Sequence, residues 1–359
     1  MGLSLHDVDK YAGREMYLKD ISLELESGSV NVLLGRTLAG KTTMLRIMAG
    51  LDRPTKGRVL ADGRDVTGLS VRKRNVAMVY QQFINYPSLS VYNNIASPLK
   101  LSGMDPAEIA RRVQEAAEML NIQDYLKRLP AELSGGQQQR TAIARALVKD
   151  AQLLLMDEPL VNLDYKLREK LREELQEIFK QRQATVVYTT TEPAEALMLG
   201  GKIVVIDEGR ILQTGPTSQV YHNPATVRVA EVFSDPPINY LNARIQERTA
   251  LLGNNVQLVL NGHMKELTPG DYKFGVRANR LFLSPQGDKD VEISAKVELS
   301  EINGSETFIH VSHADSRLVV QENGIHSRKI GSEITVYADP CSFFVYDGKG
   351  QLVASPSKF

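Results

Sequence analysis

Val30-Asn31-Val32-Leu33-Leu34-Gly35-Arg36-Thr37-Leu38-Ala39-Gly40-Lys41-Thr42-Thr43 begins as a short apolar run, breaks at Gly35 and resumes as a helical pattern from Lys41 to about Ala49. A strand, a glycine-bounded loop and a helix in that order make a cradle for phosphate. Successive backbone N–H groups converge on the anion, and the helix aims its positive end at it. Gly35 to Thr42 matches the minimal G-x-x-x-x-G-K-[ST] pattern of such a loop. Gly35, Arg36, Thr37, Leu38, Ala39, Gly40, Lys41, Thr42 and Thr43 are the candidate nucleotide-binding residues. Lys41 would face the β- and γ-phosphates, and the Thr42 hydroxyl would bind Mg²⁺. The competing reading is a glycine-rich turn ahead of an ordinary helix.

Downstream, Leu153-Leu154-Leu155-Met156 carries Asp157 and Glu158 at its end. A carboxylate pair after four apolar residues sits at the exposed carboxyl end of a buried strand, where α/β sheets place their ligand sites. Asp157 would hold the Mg²⁺ shell and Glu158 would polarise an attacking water. Between these motifs, Leu133-Ser134-Gly135-Gly136-Gln137-Gln138-Gln139-Arg140 opens a further helix with Ser134 at its cap. Its paired glycines let a ligand approach the backbone, and a helix start favours an anion.

The β-rich runs Val76 to Tyr80, Leu153 to Met156, Thr185 to Tyr188 and Lys202 to Ile206 alternate with helical segments, among them 106 to 121 and 135 to 149. That alternation predicts a parallel sheet covered on both faces. Gly57 to Gly63 reads as part of a hairpin in a small antiparallel subdomain. After Ser234-Asp235-Pro236-Pro237 helical periodicity gives way to short alternating runs, including Val256 to Leu260, Tyr272 to Arg277, Thr307 to Val311 and Ser342 to Tyr346. These predict a small β-barrel. The expected domains are thus 1–235 and 236–359, with the stiff Pro-Pro pair at the boundary.

Lys and Arg total 43 and Asp and Glu total 43, so the net field gives no reason to expect nucleic acid as a partner. The single cysteine, Cys341, excludes an internal disulfide framework and fits a reducing compartment. The N-terminus lacks the charged and apolar regions of a signal peptide, and no window approaches a membrane span. The expected location is cytoplasmic, with any membrane role exerted through a partner.

Phosphate loop, Leu-Ser-Gly-Gly-Gln octet and carboxylate strand, in this order, resemble the nucleotide-binding subunits of ATP-binding-cassette (ABC) transporters. The resemblance implies a P-loop, RecA-like α/β domain with antiparallel and helical subdomains, followed by an all-β, OB-like (TOBE-type) regulatory barrel. ATP and Mg²⁺ are the implied cofactors. Ser134, Gly135, Gly136 and Gln137 would meet ATP held by an opposite subunit, so the active unit would be a dimer. Gln81 matches a glutamine that touches Mg²⁺ and senses the membrane subunits, and Tyr86 to Val91 the segment that receives a permease helix. Tyr11 occupies the place of an aromatic that stacks on adenine, although a core-edge tyrosine is an equal reading. Asp164 matches a subunit-to-subunit contact.

Three positions depart from the pattern. Leu38 stands where glycine is usual and must keep φ negative or tolerate strain. Val161 stands for serine, and Thr191 for the histidine that contacts the γ-phosphate. Threonine lacks the reach and possible charge of imidazole. All three surround the chain's own nucleotide, whereas the motif serving a partner's nucleotide is intact. A heterodimer with a weakened own site follows as an expectation, with a homodimer as the alternative.

Gly209 to Pro216, Val220 to Pro224, Pro236 to Leu241, Gly275 to Arg277 and Leu299 to Thr307 look like the maltose and glycerol-phosphate group of importers. That group's Arg-Pro-Glu triplet reads Arg277-Ala278-Asn279 here. Thr37 to Thr42, Tyr80 to Pro87 and Thr190 to Pro193 look like one of the paired ATPases of bacterial glycerol importers. The expected function is ATP hydrolysis driving import of glycerol or a related polyol or sugar. The expected partners are a second ATPase subunit, two permease subunits and, indirectly, a solute-binding protein, at the cytoplasmic face of the inner membrane. A non-hydrolysing regulatory subunit is the other alternative.

Overall fold

The computed structural model describes residues 1–161, 163, 165–253 and 255–356. The chain divides into two compact units, Met1–Thr217 and Ser218–Phe359.

Among the described residues of the first unit, a six-stranded sheet runs in the order Arg210–Pro216, Lys202–Asp207, Val30–Leu34, Thr185–Thr190, Leu153–Asp157, Val76–Val79. All neighbours are parallel except the edge strand Arg210–Pro216. The expected parallel sheet is therefore present. Its inner strands are buried along nearly their whole length, which is why they read as continuous apolar runs. Helix Lys41–Ala49 packs its Met44, Leu45 and Met48 side chains into the core beneath it.

A second sheet, antiparallel, joins Glu15–Leu25, Leu3–Ala12, Lys56–Ala61 and Arg64–Asp65. The predicted hairpin is its last pair. Helices Val91–Leu101, Pro106–Met119 and Gly135–Leu147 form the helical subdomain. Pro106 sits at the first turn behind the Asp105 cap, a position where its missing N–H costs nothing.

Among the described residues, the second unit holds two antiparallel sheets around a main apolar core, with a smaller cluster of Ala230, Ile238, Phe344 and Tyr346 beside it. Strands such as Asn239–Gln246 and Glu306–His313 alternate buried and open positions with period two, the pattern of a barrel wall. Helix Val227–Val232 belongs with this unit although it precedes Pro236 and Pro237. The buried Arg277 guanidinium explains the grouping. It stacks over the Tyr221 ring at 3.7 Å and donates to the carbonyls of Phe233 and Tyr221 and to the Ser234 hydroxyl. Tyr240 adds a bond from its hydroxyl to the Val227 carbonyl, 3.0 Å away.

Candidate functional site

The phosphate loop leaves the central strand at Gly35, whose N–H donates to the Thr190 carbonyl. A side chain at Gly35 would put Cβ 2.3 Å from the Ile206 carbonyl oxygen, so the loop can start here only with glycine. Gly40 takes φ +103° and lies against the Tyr17 carbonyl. Leu38 takes φ +67° with its side chain 93% exposed. The loop thus keeps the backbone shape that glycine would supply and holds a γ-branched residue in the left-handed region, at a cost of about 1–2 kcal/mol. Arg36, Thr37 and Thr42 are exposed, Thr43 is half-buried, and Ala39 and Lys41 are buried.

Lys41 Nζ donates to the carbonyls of Gly35 at 2.8 Å and Arg36 at 2.9 Å, and pairs with Glu158 Oε1 at 3.0 Å. Glu158 Oε2 accepts from Gln81 Nε2 at 3.1 Å. Asp157, 2% exposed, accepts on one oxygen from both the Thr42 and the Thr189 hydroxyls, each at 3.0 Å. Burial pushes the Asp157 carboxyl above its ordinary range, against the pull of those two hydrogen bonds and of Lys41. Lys41, Thr42, Gln81, Asp157 and Glu158, scattered over more than a hundred positions of sequence, form one cluster. A buried carboxylate beside a hydroxyl is a hard-oxygen donor set whose chemistry fits Mg²⁺.

Thr191 follows this cluster, half-buried, at the end of strand Thr185–Thr190. The segment is held on both sides. Thr190 donates to the buried Glu195 carboxylate at 2.6 Å and accepts the Glu192 N–H. Glu192 pairs with Arg168, which also donates to the carbonyls of Val161 and Leu163. One guanidinium therefore ties the segment bearing Thr191 to the loop after the carboxylates. Asp164 lies outside the described residues.

Ser134 caps helix Gly135–Leu147 in a reciprocal box. Its hydroxyl accepts the Gln137 N–H, and Gln137 Oε1 accepts the Ser134 N–H. The two glycines play different parts. Gly135 is exposed, whereas Gly136 is buried and a Cβ there would meet Leu167 Cδ2 at 2.1 Å, so a side chain at the second position would have to displace that leucine. These residues lie apart from the Lys41–Glu158 cluster among the described contacts. Asn85 Nδ2 donates to the Gln138 carbonyl at 2.8 Å, and Arg145 caps the Ile84 carbonyl and lies over the Tyr86 ring. Segment 84–86 is thereby fastened to the same helix. Tyr11 is 43% exposed on strand Leu3–Ala12. Its cross-strand partner Met16 precedes Tyr17, which touches Gly40.

Sequence reading passed over Thr189, Arg168 and Glu195. Thr189 carried a usable signal: it is a hydroxyl on a strand predicted to be buried, and a parallel pairing sets it opposite Asp157.

The family model for ABC transporters matches residues 18–161. The sn-glycerol-3-phosphate import ATP-binding protein UgpC of Escherichia coli (strain K12) is 35% identical over 98% of this chain and 99% of its own length. The oligosaccharides import ATP-binding protein MsmX of Bacillus subtilis (strain 168) is 34% identical over 95% of this chain and 96% of its own. Among solved structures, the dimeric ATP-binding cassette MJ0796 bound to ADP and Pi shares 31% identity. It aligns with a TM-score of 0.55, covering 60% of this chain and 98% of that one.

Proposed function

This chain belongs to the ABC transporter family, and on that premise we propose that it is the ATP-hydrolysing subunit of an importer for glycerol or a related polyol, sugar or glycerol phosphate. The observation that carries the importer reading is likeness to UgpC across both units, 98% of this chain and 99% of the relative. No helix among the described residues is long and apolar enough to cross a membrane. Transport would then need two membrane-spanning permease subunits, with a solute-binding protein outside and this chain at the cytoplasmic face.

In the proposed cycle Lys41 and the N–H groups of residues 35–43 hold the phosphates, with Tyr11 against the base. Thr42, Asp157 and Gln81 would hold Mg²⁺, which would neutralise phosphate charge. Glu158 orients and deprotonates the water. Ser134, Gly135, Gly136 and Gln137 complete the site of a second ATPase subunit, and Asp164 belongs to that contact. Closure of the two subunits reaches the permease through Gln81 and segment 86–91.

The second subunit is proposed to be unlike this one. Thr191 in place of a histidine weakens this chain's own site, and Leu38 holds the loop's shape only under backbone strain, while the capping box at Ser134 keeps the partner-facing motif ordered. The test is Mg-ATP turnover by the purified chain, with Lys41→Ala as blank and Thr191→His beside it. Turnover near the blank that rises about 10²-fold in Thr191→His supports a weakened site, since one aimed donor is worth about 10²–10³ in rate. Ordinary turnover unchanged by the histidine would replace the heterodimer with a homodimer. Catalysis absent in both, with transport intact in Glu158→Gln, would leave a regulatory subunit.

A further inference from the structure

Strand Thr185–Thr190 carries three threonines. Thr185 donates to the Met1 carbonyl and Thr190 to Glu195. Thr189, fully buried, points its hydroxyl at the Asp157 carboxylate and the Glu158 backbone. It donates to Asp157 Oδ1 at 3.0 Å, with the Met156 carbonyl farther away at 3.4 Å, and it accepts the Glu158 N–H at 2.9 Å. The single hydroxyl proton goes to the carboxylate, the closer and charged acceptor.

Each bond answers a separate difficulty. Asp157 is a buried carboxylate whose free rotation would move any cation it holds. The Thr189 and Thr42 hydroxyls converge on one of its oxygens and fix its plane. Glu158 takes φ +43°, unfavourable for a residue with a side chain. Its N–H donates to the Thr189 hydroxyl at the sheet end. That bond holds the turn which throws the Glu158 carboxylate toward Lys41 and Gln81. We infer that Thr189 is a positioning residue for hydrolysis, one hydroxyl that sets the direction of both carboxylates. The inference rests on the ATPase reading above.

Valine matches threonine in shape, so Thr189→Val removes the hydroxyl with little change of volume, and Thr189→Ser keeps it. Three readouts on the full-length purified chain separate the outcomes: affinity for a fluorescent ATP analogue without Mg²⁺, the Mg²⁺ concentration that half-saturates its tightening, and the split of kcat against KM. Thr189→Val is expected to leave Mg-free affinity within about twofold of wild type, because the phosphate loop is untouched. It should raise the half-saturating Mg²⁺ concentration and lower kcat, each by about 10-fold or more, at little-changed KM. Thr189→Ser should recover most of both. A valine variant equal to wild type in Mg²⁺ dependence and kcat overturns the inference. So does one that loses Mg-free binding and thermal stability together, which would make Thr189 a packing residue only. A wild-type chain that binds no nucleotide defeats the ATPase reading and this inference with it.

Discussion

Lys41 Nζ lies 3.0 Å from Glu158 Oε1, so the cation of the phosphate loop and the carboxylate of the strand end neutralise each other. The other two ammonium donors go to the carbonyls of Gly35 and Arg36, which uses all three. Lys41 is 3% exposed, so the pair is sheltered from solvent and far from the weak surface case. A phosphate entering the loop must take Lys41 from Glu158. On the proposed function, nucleotide binding and release of the Glu158 carboxylate would be one event in this geometry.

Glu158→Gln separates the two halves of that event. The amide keeps the shape but cannot hold Lys41 by charge or accept a proton from water. Turnover should fall by about 10²–10⁴, the range for a lost general base. ADP affinity, measured by calorimetry without Mg²⁺, should rise because phosphate no longer competes with a carboxylate. Weaker ADP binding in the variant would show that the ion pair organises the loop and does not restrain it.

Leu38 was the one loop position where sequence posed a conformational question, and the backbone answers it with φ +67°. Leu38→Gly should remove the strain of about 1–2 kcal/mol, less the chain-entropy cost of glycine, about 0.5–1 kcal/mol. A net gain near 0.5 kcal/mol should appear as a rise of about 1–2 °C in the unfolding midpoint of the first unit. Nucleotide should bind at least as tightly. A lower midpoint would mean that the leucine side chain, though 93% exposed, makes a contact that outweighs its backbone.

Much of this architecture was legible because its signals are local. An apolar run ending in Gly35, the Lys41-Thr42 pair and the Ser134 cap each declare a strand end, an anion loop or a helix start within a few residues. What stayed hidden is long-range or lies inside a pattern of another kind. Thr189 looks like one β-former among several, and only strand pairing puts it opposite Asp157. Gly136 reads as a ligand-approach glycine, yet it is also packed against Leu167 of a distant helix, whose side chain a Cβ there would have to displace. The helices ahead of Pro236 read as the end of the first domain, but the buried Arg277 stack binds them to the barrel unit. Sequence marks the breaks in periodicity, and contacts decide to which side a short helix belongs.

Glu195 gives the fold a dependence on pH that runs against the common carboxylate case. Its side chain is 4% exposed and accepts from the Thr190 and Tyr188 hydroxyls at 2.6 and 3.2 Å. Burial, aided by the nearby Glu192, raises its pKa above the ordinary 4.5, although the two hydroxyls and Arg172 oppose the rise. The folded chain therefore keeps this proton to higher pH than the unfolded chain does. In that window the native state binds more protons, so stability falls as pH rises. The contribution is fully present below 4.5 and is lost as pH climbs through the raised folded value. Asp157 acts in the same sense from its own ordinary value of 3.8, again because of burial. Glu195→Gln keeps an amide oxygen for Thr190 and Tyr188 and removes the titration. Urea unfolding of the variant between pH 4.5 and 7 should show a shallower decline than wild type, the remainder coming from Asp157, and greater stability at the upper end. Parallel declines in the two proteins would mean that Glu195 titrates alike folded and unfolded, and that its two hydroxyl donors fully offset its burial.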